Sequence, residues 1–170
     1  YIDSFLQFGA TLDKRNQKFQ TSDGFFSTYS VDLPIISETY TLTNSYKYKY
    51  FTELFENNVS SISISLKSAH SLKDDDIKLS ERIRIPSSSL RGFEFGKVGP
   101  KDGDDFIGGN YMSAINFTST IPQILENSQN TDFIFFIDAA SIWGVDYDSA
   151  LDDNKIKSSI GIGLDWFSPA

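Results

Sequence analysis

Among the residues able to do chemistry, two charged side chains stand in unusual surroundings. Asp138 lies in an otherwise apolar segment, Phe133 to Trp143, with no cation close to it in the chain. Arg91 lies in Ser-Ser-Ser-Leu-Arg-Gly-Phe-Glu-Phe-Gly-Lys-Val-Gly-Pro, residues 87 to 100. There it carries a five-donor guanidinium among Leu90, Phe93, Phe95 and Val98, and the intervening glycines permit tight backbone turns. Such a stretch can fold back and bury something. Taken alone, Asp138 also reads as a solvated carboxylate.

Other constellations are weaker. Asp74-Asp75-Asp76 and the set Asp146, Asp148, Asp152 and Asp153 lack the glycine and the carboxylate spacing of a calcium loop, and they read as solvated loop charge. His70 is the single histidine, so a His-based triad or metal cluster has no second member, and it reads as a loop residue. Gly108-Gly109-Asn110 has no following helix to lend a dipole to a phosphate and reads as a turn opening a strand. No cysteine is present, which removes disulfides and thiol chemistry. No cofactor and no metal is expected.

The elements that position these residues are strands, because apolar residues recur with period two and almost nowhere with period 3.6. Seven segments alternate: Ser4 to Leu12, Phe25 to Leu33, Thr39 to Tyr50, Ser60 to Ser68, Tyr111 to Thr120, Phe133 to Trp143 and Ile156 to Trp166. Polar turns are expected at Asp13 to Gly24 and Pro122 to Asp132, and Pro34, lacking an amide donor, is expected to end the second strand. In the third segment Tyr40, Leu42, Tyr46, Tyr48 and Tyr50 share one face, against Thr, Ser and Lys on the other. In the sixth, Phe136, Asp138 and Ala140 face away from Phe135, Ile137 and Ala139. Between the fourth and fifth lies a polar connection of about forty residues, where about four to six is usual.

Composition narrows the classes. Eight Tyr and fifteen Phe need either a core or a membrane interface. No apolar run approaches the roughly twenty residues of a helical span, which leaves a barrel open, since barrel strands alternate apolar with polar residues and hold no such run. The net charge of -8 argues against a nucleic-acid partner. Two fold readings follow: a membrane β-barrel with outward aromatics, or a soluble all-β binding domain packed as a sandwich.

Leu90-Arg91-Gly92-Phe93 resembles the Arg-Gly-Phe loop of the bacterial surface antigen family of outer-membrane barrels. Further pieces follow in order: Ser80-Glu81-Arg82, Gly108-Gly109-Asn110, Phe135 to Gly144, and Gly161 to Pro169. The resemblance implies an antiparallel transmembrane β-barrel of about sixteen strands, of which residues 1–170 supply about seven as part of one domain. The loop, about 70–109, would tuck into the lumen from the extracellular side. Arg91, Gly92 and Phe93 would anchor it, with Asp138 as the lumenal partner of Arg91 through a charge-assisted contact.

A second acid often found on the strand after this loop is replaced by Asn116 or Thr118, which implies a thinner network. Periplasmic domains, the early strands and the last two are expected outside this sequence. The implied activity is folding and insertion of other outer-membrane proteins in the bacterial outer membrane, without covalent chemistry. The implied partners are unfolded clients, accessory lipoproteins and the lipid bilayer. A related barrel transporter for secreted or autotransporter proteins is the alternative within the family.

Overall fold

The computed structural model describes residues 4–37, 40–121 and 131–166. Nine strands occur among them: β1 (Ser4–Asp13), β2 (Gly24–Ile36), β3 (Thr41–Thr52), β4 (Ser60–Ser71), β5 (Lys101–Asp102), β6 (Asp105–Phe106), β7 (Tyr111–Ile121), β8 (Thr131–Trp143) and β9 (Lys157–Trp166). All but the short β5 and β6 form one seven-stranded antiparallel sheet in the order β1-β2-β3-β4-β7-β8-β9. Each strand of this sheet has 10 to 13 residues, enough for a tilted membrane crossing, which takes about 9–11. Its successive strands are neighbours throughout, as expected of a meander.

Period-two alternation sorts the side chains onto two faces. One cross-strand row runs Tyr50, Ile62, Phe117, Ile137 and Ile160, and the next runs Tyr48, Ile64, Ile115, Ala139 and Ser158. Many of these are exposed, Ile160 and Ile162 about 70% or more, as is Trp166. The opposite face carries the row Lys49, Ser63, Asn116, Asp138 and Ser159. A sheet that leaves its apolar face open and covers its polar one inverts the soluble pattern, and hydrocarbon is the solvent in which that inversion is stable.

The polar face is covered by the connection between β4 and β7, residues 72–110. It carries structure that alternation did not announce: the two-stranded ribbon of β5 and β6, and an isolated bridge between Ile83 and Gly109. Ile77, Ile83, Ile85, Leu90 and Val98 of the loop meet Ala69, Met112, Ala114, Ala140 and Ile142 of the sheet, all buried, with Phe93 packed against them. Burying one such aliphatic side chain contributes about 1.5–3 kcal/mol, so this small core on the inner face is what holds the loop down.

Several boundaries differ from expectation. β2 runs on through Pro34, because β3 pairing stops at Asp32–Thr43 while on the β1 side the register shifts between Ser4 and Phe5. A bulge on a singly paired stretch needs no amide there. His70 belongs to β4, not to the loop, and meets Tyr111 edge-on at 5.4 Å. Asp13 and Gly24 belong to β1 and β2, and Thr131 and Asp132 to β8; the remainder of the Pro122 turn, and Thr39, lie outside the described residues.

Candidate functional site

Asp138 and Arg91 are brought together although 47 residues separate them. The Arg91 guanidinium forks onto the carboxylate, Nε to Oδ2 at 2.7 Å and Nη2 to Oδ1 at 2.6 Å, and the Arg91 backbone N–H adds a third donor to Oδ2 at 3.0 Å. The Asp138 side chain is fully buried and that of Arg91 is 27% exposed. A buried carboxylate is tolerable only when its lone pairs are matched by donors. Here a fourth donor, Asn116 Nδ2, reaches Oδ1 at 2.8 Å.

Asn116 stands directly opposite Asp138 in the β7–β8 register, and it also donates to the Ser89 carbonyl of the loop at 2.9 Å. Thr118 accepts from Arg91 Nη2 at 3.1 Å. Asn116 and Thr118, one or the other of which stands near the place expected for a second acid, are both engaged with the Arg91–Asp138 pair. With one carboxylate for one guanidinium, no excess negative charge is buried.

The remaining contact is a ring that sequence reasoning passed over. The Arg91 guanidinium lies over Phe136 with its carbon 3.8 Å from the ring centre, a cation–π arrangement. Phe136 precedes Asp138 by two on the same face, so alternation already placed it there. Its ring lies over Gly161, its cross-strand partner, where an added Cβ would come within 2.6 Å of the ring. Gly92 adopts φ +84 with open space around its Cα, so glycine is required there by backbone conformation and not by crowding. Beside Arg91, the Lys47, Lys49, Ser63, Thr118 and Asp165 side chains help line a cavity of about 260 Å³.

A second cluster lies nearer the loop end of the sheet. Arg82 is buried; its Nη2 donates to Asp146, its Nε donates to the Ile77 carbonyl at 3.2 Å, and its guanidinium carbon sits 5.0 Å from the Tyr147 ring centre. The other Asp146 oxygen accepts from the Ile77 N–H at 2.7 Å. Burial pushes the Asp146 carboxyl up, but the Ile77 N–H, the Asn110 amide and the Arg82 guanidinium outweigh it and hold it below the usual carboxylate range. Asp152 accepts from the Gly144 N–H at 2.8 Å, and Asp148 caps the short 3-10 turn Ser149–Leu151. The reading of these aspartates as solvated loop charge is thus overturned for Asp146 and Asp152, whose lone pairs replace water with loop amides. Among the described residues no group of three or more His, Cys, Asp or Glu could hold a metal ion.

An antiparallel meander with an apolar outer face, and an inner face filled by a long loop, is the architecture of an outer-membrane β-barrel wall. The chain belongs to the Omp85 superfamily, whose domain model matches residues 1–170. It is 31% identical over 86 residues to the outer membrane protein assembly factor BamA of Neorickettsia risticii, covering 48% of this chain and 12% of that protein. It is 37% identical over 71 residues to a SAM50-like protein of Schizosaccharomyces pombe, covering 39% of this chain and 15% of that one. The crystal structure of BamA from Haemophilus ducreyi lacking POTRA domains 1–3 superposes with a TM-score of 0.84 over 96% of this chain and 36% of that one, at 23% identity. The chain therefore spans a small part of the relatives it matches, and the structural likeness establishes the fold.

Proposed function

We propose that this chain is a wall segment, with its lumenal loop, of an outer-membrane β-barrel of about sixteen strands that folds and inserts other outer-membrane proteins in the bacterial outer membrane, without covalent chemistry. The match of the Omp85 domain model along residues 1–170 carries this reading, supported by relatives that include an assembly factor. Unfolded outer-membrane proteins, accessory lipoproteins and the bilayer are the partners. Arg91, Gly92 and Phe93 anchor the loop, with Asp138 as partner of Arg91. The five strands β2, β3, β4, β7 and β8 are each paired on both sides and serve as scaffold, with no client-binding edge.

Depletion of the full-length protein tests the activity. Outer-membrane barrels should then accumulate as unfolded precursors, seen by heat-dependent gel mobility, and a normal set of folded barrels would overturn the proposal. Site-specific crosslinking to a stalled client tests the scaffold assignment. Strong crosslinks along β3, in a barrel of undiminished stability, would refute it.

A further inference from the structure

The Arg82 cluster ties the loop to the same hairpin that Asp138 serves. Arg82 and Ile77 belong to the first part of the loop, and Asp146 lies just beyond the end of β8, in the connection to β9. Both Asp146 oxygens are taken by the loop, one by the Ile77 N–H and one by Arg82. The Arg82 side chain is 1% exposed, so its charge has left water and depends on Asp146, the Ile77 carbonyl and the Tyr147 ring. The adjoining bridge, with Ile83 N–H to the Gly109 carbonyl at 2.8 Å and Gly109 N–H to the Ile83 carbonyl at 3.1 Å, ties the first part of the loop to its far end. Asn110 next to it donates its N–H to the Gly144 carbonyl at 2.9 Å.

We propose that Arg82 is a second positioning residue of the loop, clasped by Asp146, so that the loop is fixed to the β8–β9 hairpin at two charged points and moves with it as one body. The Arg91 clasp fixes the tip and the Arg82 clasp fixes the entrance. Two points on one hairpin remove the swing that a single point allows. This inference rests on the loop-anchor reading above but does not depend on the client, and its test is run on the barrel alone.

The test uses the full-length barrel in detergent micelles and trypsin cleavage between Arg84 and Ile85, a buried residue whose bond is reached only when the loop entrance opens. Cleavage follows the population of the open form. Asp146→Asn should raise its rate about tenfold or more, Arg82→Gln should raise it by less because the aspartate it leaves behind is part-exposed, and the double variant should be no faster than Asp146→Asn. Heat-dependent mobility of the barrel should stay within a few degrees of wild type. Unchanged cleavage, additive effects, or a barrel that softens in step with cleavage would each overturn the proposal. Should the variants fail to assemble, the unaltered protein still decides: the Arg82 Nε–H should exchange with solvent slowly, at least about a hundredfold slower than a free guanidinium, and fast exchange refutes the clasp. Both readouts omit clients, so a barrel with no assembly activity and a slow Arg82 Nε–H would sink the functional proposal and leave this one standing.

Discussion

The two clasps of the loop are mirror images in burial. At Arg91–Asp138 the carboxylate is fully buried and the guanidinium is 27% exposed, whereas at Arg82–Asp146 the guanidinium is 1% exposed and the carboxylate 24%. In each pair the buried partner carries most of the desolvation cost, and the half-exposed one can turn back to water when its mate is removed. The damage done by a truncation should therefore depend on which partner is left behind. The inner clasp should suffer most from loss of its arginine, and the outer from loss of its aspartate.

The largest expected effect tests that asymmetry. Arg91→Ala strands a buried carboxylate and should cost about 2–4 kcal/mol, while Asp138→Ala frees Arg91 into the adjoining cavity and should cost about 1–2 kcal/mol less. Thermal unfolding of the barrel in detergent reads both. Equal costs, or the reverse order, would break the comparison. Next in size is Gly161→Val, which drives a side chain into the Phe136 ring and displaces it from beneath Arg91, at about 1–3 kcal/mol. Pairing it with Phe136→Ala should give less than the sum, since both act on one contact.

Two further outcomes sharpen the picture at the small end. Phe93 packs against the loop core and Phe95 is 58% exposed, so Phe93→Ala should cost about 1–2 kcal/mol and Phe95→Ala under about 0.5. Differential thermal unfolding of the two single variants decides it. The smallest effect is that of mild acid on the outer clasp. The Asp146 carboxyl titrates lower when folded than when unfolded, so its stabilisation is fully present above the ordinary value of about 3.9 and is lost as pH falls through the lower folded value. Between pH 8 and 5 the loop entrance should not loosen on this account. Pepsin cleavage across pH 5 to 2, taken relative to cleavage of an unfolded peptide at each pH, should show the entrance opening only below about pH 4, and Asp146→Asn should flatten that ratio.

Much of the sheet was legible because a half-exposed strand writes its two faces into alternate residues, and Tyr46, Tyr48 and Tyr50 opposite Lys47 and Lys49 follow that rule. Phe136, Asp138 and Ala140 were placed on one face in the same way, and the partnership of Asp138 with Arg91 was suggested only by family resemblance. The clasp at Asp146 left no such mark, since Arg82 is 64 residues away and a lone aspartate among aspartates looks like surface charge. The bulge at Pro34 was invisible for a related reason: whether a missing amide matters depends on which edge is paired, and that is a property of neighbours.

The register of β7 on β8 has a consequence for the order in which the molecule can be built. Asn116 and Asp138 form one cross-strand pair, and together they hold Ser89 and Arg91 of the loop. A slip of one residue in β8 would turn its whole inner set to the opposite face, sending Asp138 toward the hydrocarbon and leaving Arg91 facing Ile137 or Ala139. The receptor for the loop exists only when two strands, separated by residues 122–130, have met in one alignment. Docking of Arg91 should therefore depend on strand alignment, since only the observed β7–β8 register presents Asp138 and Asn116 to the loop.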